Sequence, residues 1–179
     1  MDYSELFSAD THNFMRSPVR DIFKKYDLSQ LYSFAGGYPH PSTFPHDKLL
    51  SLVETVQKKY GTKVLQYGST QGVAELLQAL SQRYDVPVEN IQITTSSQQG
   101  IDVTARVLLD PGDVVLVAIP SYLGALQSFK SYRAEIVGLD LTQSFEASKR
   151  RRDTLRSLVD AGKKIKFFYT VPDFQNPSG

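Results

Sequence analysis

The chain has 179 residues, 41% of them apolar and 22% charged, which is enough for one domain with a real hydrophobic core. Its 20 Lys and Arg offset 19 Asp and Glu, and a net charge of +1 gives no electrostatic case for nucleic acid or an anionic membrane surface. It contains no cysteine, which excludes disulfides and thiolate metal sites, and no apolar run approaches the roughly 20 residues of a membrane helix.

The segment Met1 to Asp10 holds three acidic residues and no basic one, unlike a signal or mitochondrial peptide, so the sequence reads as cytoplasmic. Ser17-Pro18 opens a short helix with Ile22, Phe23 and Tyr26 on one side, because Pro tolerates the first helical position. Residues 33–45 hold two Gly and three Pro and read as an extended loop. From residue 46, Leu49, Leu50, Val53 and Val56 repeat at helical spacing. After a loop around Gly68, a second helix carries Val73, Leu76, Leu77, Leu80 and Tyr84. Ile91–Thr94 reads as a short strand, and the next helix, with Ile101, Ala105, Leu108 and Leu109, ends at Asp110-Pro111-Gly112-Asp113.

Val114–Ile119 is a continuous apolar run of strand length, as expected for a strand covered on both faces. A helix with Tyr122, Ala125, Leu126 and Phe129 follows, then a strand over 135–139. Next come a helix with Leu155, Leu158 and Val159, stopped by Gly162, and a strand over 165–170. This alternation predicts an α/β fold with a mostly parallel sheet and helices on both faces. Residues 1–45 are expected to form an N-terminal arm and substrate-covering loop, and 46–179 the first part of a cofactor-binding large domain. The last strand should feed another helix, so the chain reads as truncated after Gly179.

Ligands of open α/β sheets bind outside the carboxyl ends of the strands. Three segments belong there: 94–100, 120–122 and 172–179. Ser96, Ser97 and Gln98 at a helix start offer N–H and O–H donors to an anion, or simply an N-cap. Tyr122 is either a core ring or one that stacks on a flat cofactor. Asn176 before Pro177 is a turn residue or a ligand contact. Their convergence on one sheet edge favours the functional readings. The run Lys149–Arg152 reads as a solvated helix start, although its cations oppose the helix dipole. His12, His40 and His46 lack metal-ligand spacing, so no metal site is expected.

SSQQG, DPGDVVLVAIPSY and FFYTVPDFQNPSG, preceded by FAGGYPHPSTFP and LQYGSTQGVAEL in the same order, closely resemble the fold-type I aminotransferases. The nearest subgroup is that of the 2-aminoadipate and kynurenine enzymes. The resemblance runs from about Ser17 to Gly179 and implies a pyridoxal 5'-phosphate cofactor and a partial large domain. The implied reaction is transamination between an α-amino acid and a 2-oxo acid, of aminoadipate, kynurenine, aromatic or branched-chain type.

The resemblance also implies roles position by position. Ser96, Ser97 and Gln98 match the phosphate turn, with Ser96 where the family often has Gly. Tyr122 matches the aromatic that stacks on the pyridine ring, and Asn176 the residue contacting the cofactor's phenolic oxygen and the substrate carboxylate. Tyr67 matches the tyrosine that reaches the phosphate of the partner subunit, which implies a homodimer. Gly37 and Arg20 match substrate-side positions, Arg20 as a partner for a side-chain carboxylate. The family places the Schiff-base lysine, the acid that pairs with the pyridine nitrogen and the carboxylate-binding arginine beyond Gly179. No catalytic residue is therefore named, and these 179 residues alone are expected to be inactive. Two other readings are a lyase on the same cofactor and the effector half of a transcription regulator. Only about 16 residues precede the resemblance, too few for a DNA-binding domain.

Overall fold

The computed structural model describes residues 3–8, 10–11, 25–26 and 39–175. The short helix expected at Ser17-Pro18 lies outside them. The chain divides into two compact units, one of Gly37–Thr95 and one of Met1–Gly36 with Ser96–Gly179.

In the unit of Gly37–Thr95, α1 spans His46–Tyr60 and α2 spans Ala74–Tyr84, at the spacings the apolar residues dictate. Helix α1 has no buried residue, and Leu77 is the buried residue of α2. Asp85 ends α2 in the left-handed conformation, and the Val86 N–H then closes onto Ser81 O at 3.2 Å.

Residues 91–94 do not form the expected strand. Their apolar alternation suits a ladder, but their hydrogen bonds go elsewhere. The Ile93 N–H donates to Gln71 O at 2.9 Å. Gln71 Nε2 donates to Val88 O at 2.8 Å and Ile91 O at 2.9 Å, and Gln92 Nε2 to Thr70 O at 2.7 Å. Two side-chain amides thus hold 70–71 against 88–93 and meet the backbone's hydrogen-bonding need without a sheet.

In the other unit, α3 (Ser97–Leu108), β1 (Val114–Ile119), α4 (Leu123–Ser131), β2 (Glu135–Asp140), α5 (Phe145–Asp160) and β3 (Ile165–Tyr169) alternate. The sheet is wholly parallel, in the order β2-β1-β3. Because side chains alternate along a strand, central β1 feeds two cores. Val115 and Val117 pack with Ala105 and Leu109 beside α3, and with Ala125 and Phe129 of α4. Val114 and Leu116 pack with Leu139 and with Leu158 of α5. Val114 to Ala118 are all buried, which is why this strand reads as an unbroken apolar run.

At the amino end of β1, Asp113 Oδ2 accepts from the Asp110 N–H at 2.7 Å and lies 3.2 Å from Lys166 Nζ. Gly112, at φ 86°, makes the turn that folds Asp113 back. At the carboxyl end of β2, the basic run finds its acceptors. Arg150 pairs with Asp140 at 3.2 Å, and Arg151 donates to the carbonyls of Asp140 and Thr142. The Ser144 hydroxyl caps α5 by accepting from Ala147 N–H at 3.0 Å. Two of the cations crowding that helix start are therefore held by β2 and its loop.

Candidate active site

The carboxyl edge of the sheet gathers the segments expected there. Ser96, extended at φ −167°, is the N-cap of α3, but its side chain makes no capping hydrogen bond. The hydroxyl therefore does not take up the first-turn N–H groups, as an ordinary serine cap would. Ser97, the first residue of α3, is exposed.

Gln98 turns inward, half-buried. Its Nε2 donates to Gly124 O at 3.1 Å and to Ser128 Oγ at 2.9 Å, linking α3 to α4. Those two bonds use both amide hydrogens and leave Oε1 as the side chain's one unpaired polar atom.

Tyr122 is the N-cap of α4 and keeps 49% of its surface exposed, so it is not a core ring. It sits beside Gly124, where an added Cβ would lie 2.6 Å from Cε1 and Cζ of the ring. Tyr169, at the end of β3, is its neighbour; burial pushes the Tyr169 phenol up, and the Tyr122 phenol adds to the effect. The loop after β3 returns to the same place, where the Gln175 side-chain amide donates to Pro120 O. The residue before Asn176 is thus tied beside the Pro120–Tyr122 loop.

Among the described residues, Gln98 Oε1 and Ser121 Oγ are buried with no hydrogen-bond partner. Leaving such groups unpaired costs about 1–3 kcal/mol each. Both lie beside Tyr122, sealed from solvent. The hydroxyl and N–H donors at the start of α3, with the half-open Tyr122 ring beside them, form a set that fits a flat, phosphorylated heterocycle.

Asn176, Gly37 and Arg20 lie outside the described residues. Tyr67 belongs to the unit of Gly37–Thr95 and is 99% exposed, with its N–H bonded to Gln66 Oε1 at 2.9 Å. That unit also has an open polar hollow of about 600 Å³ lined by Gln71 and Gln92, whose amides are tied to backbone carbonyls. The hollow reads as a by-product of that strapping. No group of three or more His, Asp or Glu among the described residues is placed to hold a metal ion. No helix among them is long and apolar enough to cross a membrane.

Residues 35–179 match the family described as aminotransferase class I and II. The chain belongs to this family. Aromatic-amino-acid aminotransferase 1 of Thermococcus litoralis is 38% identical over 185 residues, covering 100% of this chain and 44% of that protein. The kynurenine aminotransferase of Pyrococcus horikoshii, solved in complex with PMP, superposes with a TM-score of 0.85 at 38% identity. That match covers 99% of this chain and 45% of the other. The alpha-aminoadipate aminotransferase of Thermus thermophilus, complexed with N-(5'-phosphopyridoxyl)-L-leucine, gives a TM-score of 0.82 at 30% identity. Here the match covers 100% of this chain and 43% of the other.

The fold of this aminotransferase chain is thus that of fold-type I enzymes, as its motifs imply, and it spans less than half the length of those relatives. Sequence reasoning named Gln98 and Tyr122 and put Ser121 in the segment 120–122 at the same edge, but missed Gly124, Ser128 and Tyr169 around them. A glycine in the first turn of a helix was the available signal for Gly124. Ser128 carries no signal in the sequence.

Proposed function

We propose that the protein is a pyridoxal-phosphate-dependent aminotransferase that moves an amino group between an α-amino acid and a 2-oxo acid. The observation that carries this reading is the gathering of Ser97, Gln98, Tyr122 and the loop entering Asn176 at one sheet edge, in a chain of this family. When bound, the cofactor supplies the electron sink for chemistry at the amino-acid α-carbon. Ser96 and Ser97 at the start of α3 would hold the phosphate with hydroxyl and backbone N–H donors. Gln98 would contribute its backbone N–H there, since its side-chain N–H groups are bonded to α4. Tyr122 would stack on the pyridine ring with its open side. Asn176 would orient the ring and the substrate carboxylate, with Gly37 and Arg20 on the substrate side.

We further infer a homodimer in which the exposed Tyr67 reaches the phosphate of the neighbouring subunit. The absence of cysteine supports a reducing, cytoplasmic setting. The relatives' substrates suggest aminoadipate, kynurenine, aromatic or branched-chain amino acids. The test is to assay these amino acids with 2-oxo acid acceptors and follow the new keto acid. Release of ammonia and pyruvate in its place would replace transamination with lyase chemistry.

A further inference from the structure

We infer that Gly124 is a positioning residue of the cofactor site, and that with Ser128 it fixes where the Tyr122 ring and the Gln98 amide lie. The inference rests on the proposed function, since it assigns a task to Tyr122 and Gln98.

A side chain at Gly124 would occupy the space that two other residues now use. Its Cβ would collide with Gln98 Oε1 and would lie 2.6 Å from two atoms of the Tyr122 ring. Gly124 has no unusual backbone angle that demands glycine; its φ is outside the left-handed range. It stands in the first turn of α4, where alanine is the better helix former. Local backbone propensity therefore argues against glycine here, and the only service it performs is the room it leaves.

That room is shared by the ring proposed to stack on the cofactor and by the amide that anchors the start of α3 to α4. Both colliding groups are the far ends of movable side chains. An alanine would displace them without disturbing the buried core of α4, which is built from Ala125, Ser128 and Phe129. The cost to the fold would be limited to the Gln98 bonds to α4, offset in part by the better helix propensity of alanine. Ser128 provides the second constraint. Its hydroxyl and the Gly124 carbonyl accept the two hydrogens of Gln98 Nε2 and so fix the rotation of the amide. Oε1 is thereby left buried and unpartnered among the described residues, beside Tyr122. A wrong rotation would point N–H groups where an oxygen now stands.

The test is the Gly124→Ala variant, with Leu123→Ala in the same turn as a control. Three quantities are measured: thermal midpoint, affinity for pyridoxamine 5'-phosphate by fluorescence titration, and the circular dichroism of the bound pyridine band. Pyridoxamine phosphate is chosen because it cannot react with lysines. Fluorotyrosine NMR without ligand, with the Tyr122 line assigned by its loss in Tyr122→Phe, reads the ring position directly. For Gly124→Ala we expect a midpoint lowered no further than in Ser128→Ala, because the helix propensity of alanine offsets part of the disturbed Gln98 bonds, together with a shifted Tyr122 line, altered dichroism and affinity weakened about fivefold, the size of one lost hydrogen bond. Leu123→Ala should leave the line, the dichroism and the affinity as in the wild type. An unmoved Tyr122 line overturns the inference, as does unchanged affinity and dichroism with a moved line. A midpoint that falls further than in Ser128→Ala overturns it too, by making Gly124 a folding residue. Wild-type protein that ignores pyridoxamine phosphate while the Tyr122 line still shifts in Gly124→Ala overturns the proposed function, a result separate from those three.

Discussion

Gln98 Nε2 donates to Ser128 Oγ at 2.9 Å, so the first turn of α3 is bonded to the interior of α4 through a half-buried pair. Removing the hydroxyl in Ser128→Ala leaves one amide hydrogen without an acceptor. The expected cost is about 1–3 kcal/mol, read as a lowered midpoint in urea with an unchanged slope. A variant as stable as the wild type would mean that water replaces the serine.

Phe129 is 2% exposed and meets Phe167 and Tyr169 edge-to-face, at centroid distances of 5.4 and 5.5 Å. Phe129→Ala removes the ring that joins α4 to β3 and is expected to cost about 3–5 kcal/mol. Since Tyr169 neighbours Tyr122, the same variant should also lower cofactor affinity. Thermal melts and ligand titration on one sample check both effects.

Asp113 sets an acid limit on stability. Burial disfavours its charge, but the Asp110 N–H, Lys166 and Lys164 outweigh burial and hold its carboxyl below the ordinary value of 3.8. A folded-state value below the unfolded one favours folding wherever the unfolded group is ionised. The contribution is therefore complete above about pH 4 and is lost as pH falls toward the lowered value. Asp113→Asn should flatten the pH dependence of the unfolding free energy below about pH 4. An unaltered acid limb in the variant would remove Asp113 from this role.

Tyr67, 99% exposed, is the residue on which the dimer proposal turns. Tyr67→Phe should weaken cofactor retention by about 1 kcal/mol, the worth of one phosphate hydrogen bond. The sedimenting mass should remain that of a dimer. A fully active monomer would refute the shared site.

Much of this fold is legible in the sequence because its strongest signals are local. Val114–Ile119 announces a strand covered on both faces, and Val114/Leu116 and Val115/Val117 do divide between two cores. The helices follow their apolar spacing. Ile91–Thr94 misleads because β-propensity reports a fit to a pleated surface, whereas Gln71 and Gln92 decide where this backbone bonds. The basic run at 149–152 is unintelligible until Asp140 is placed beside it. At the site, Ser96 to Gln98 and Tyr122 are visible as motifs. The inward turn of the Gln98 amide is not, because it depends on Gly124 and Ser128, some 30 residues on. Asn176, Gly37 and Arg20 are legible as motifs, but lie outside the described residues.

The central position of β1 also gives its two pairings different loop lengths. Val114 pairs with Glu135 on one side and with Ile165 on the other. The nearer pairing closes the shorter loop and has the smaller entropic barrier. During synthesis, β1 and β2 can zip together while β3 is still inside the ribosome. One edge of an unusually apolar strand is then open, and Phe129 lacks both of its ring neighbours. A chain without β3 would present that open edge of β1 as a template for strand pairing with another chain, and adding β3 both pairs it and gives Phe129 its ring neighbours Phe167 and Tyr169.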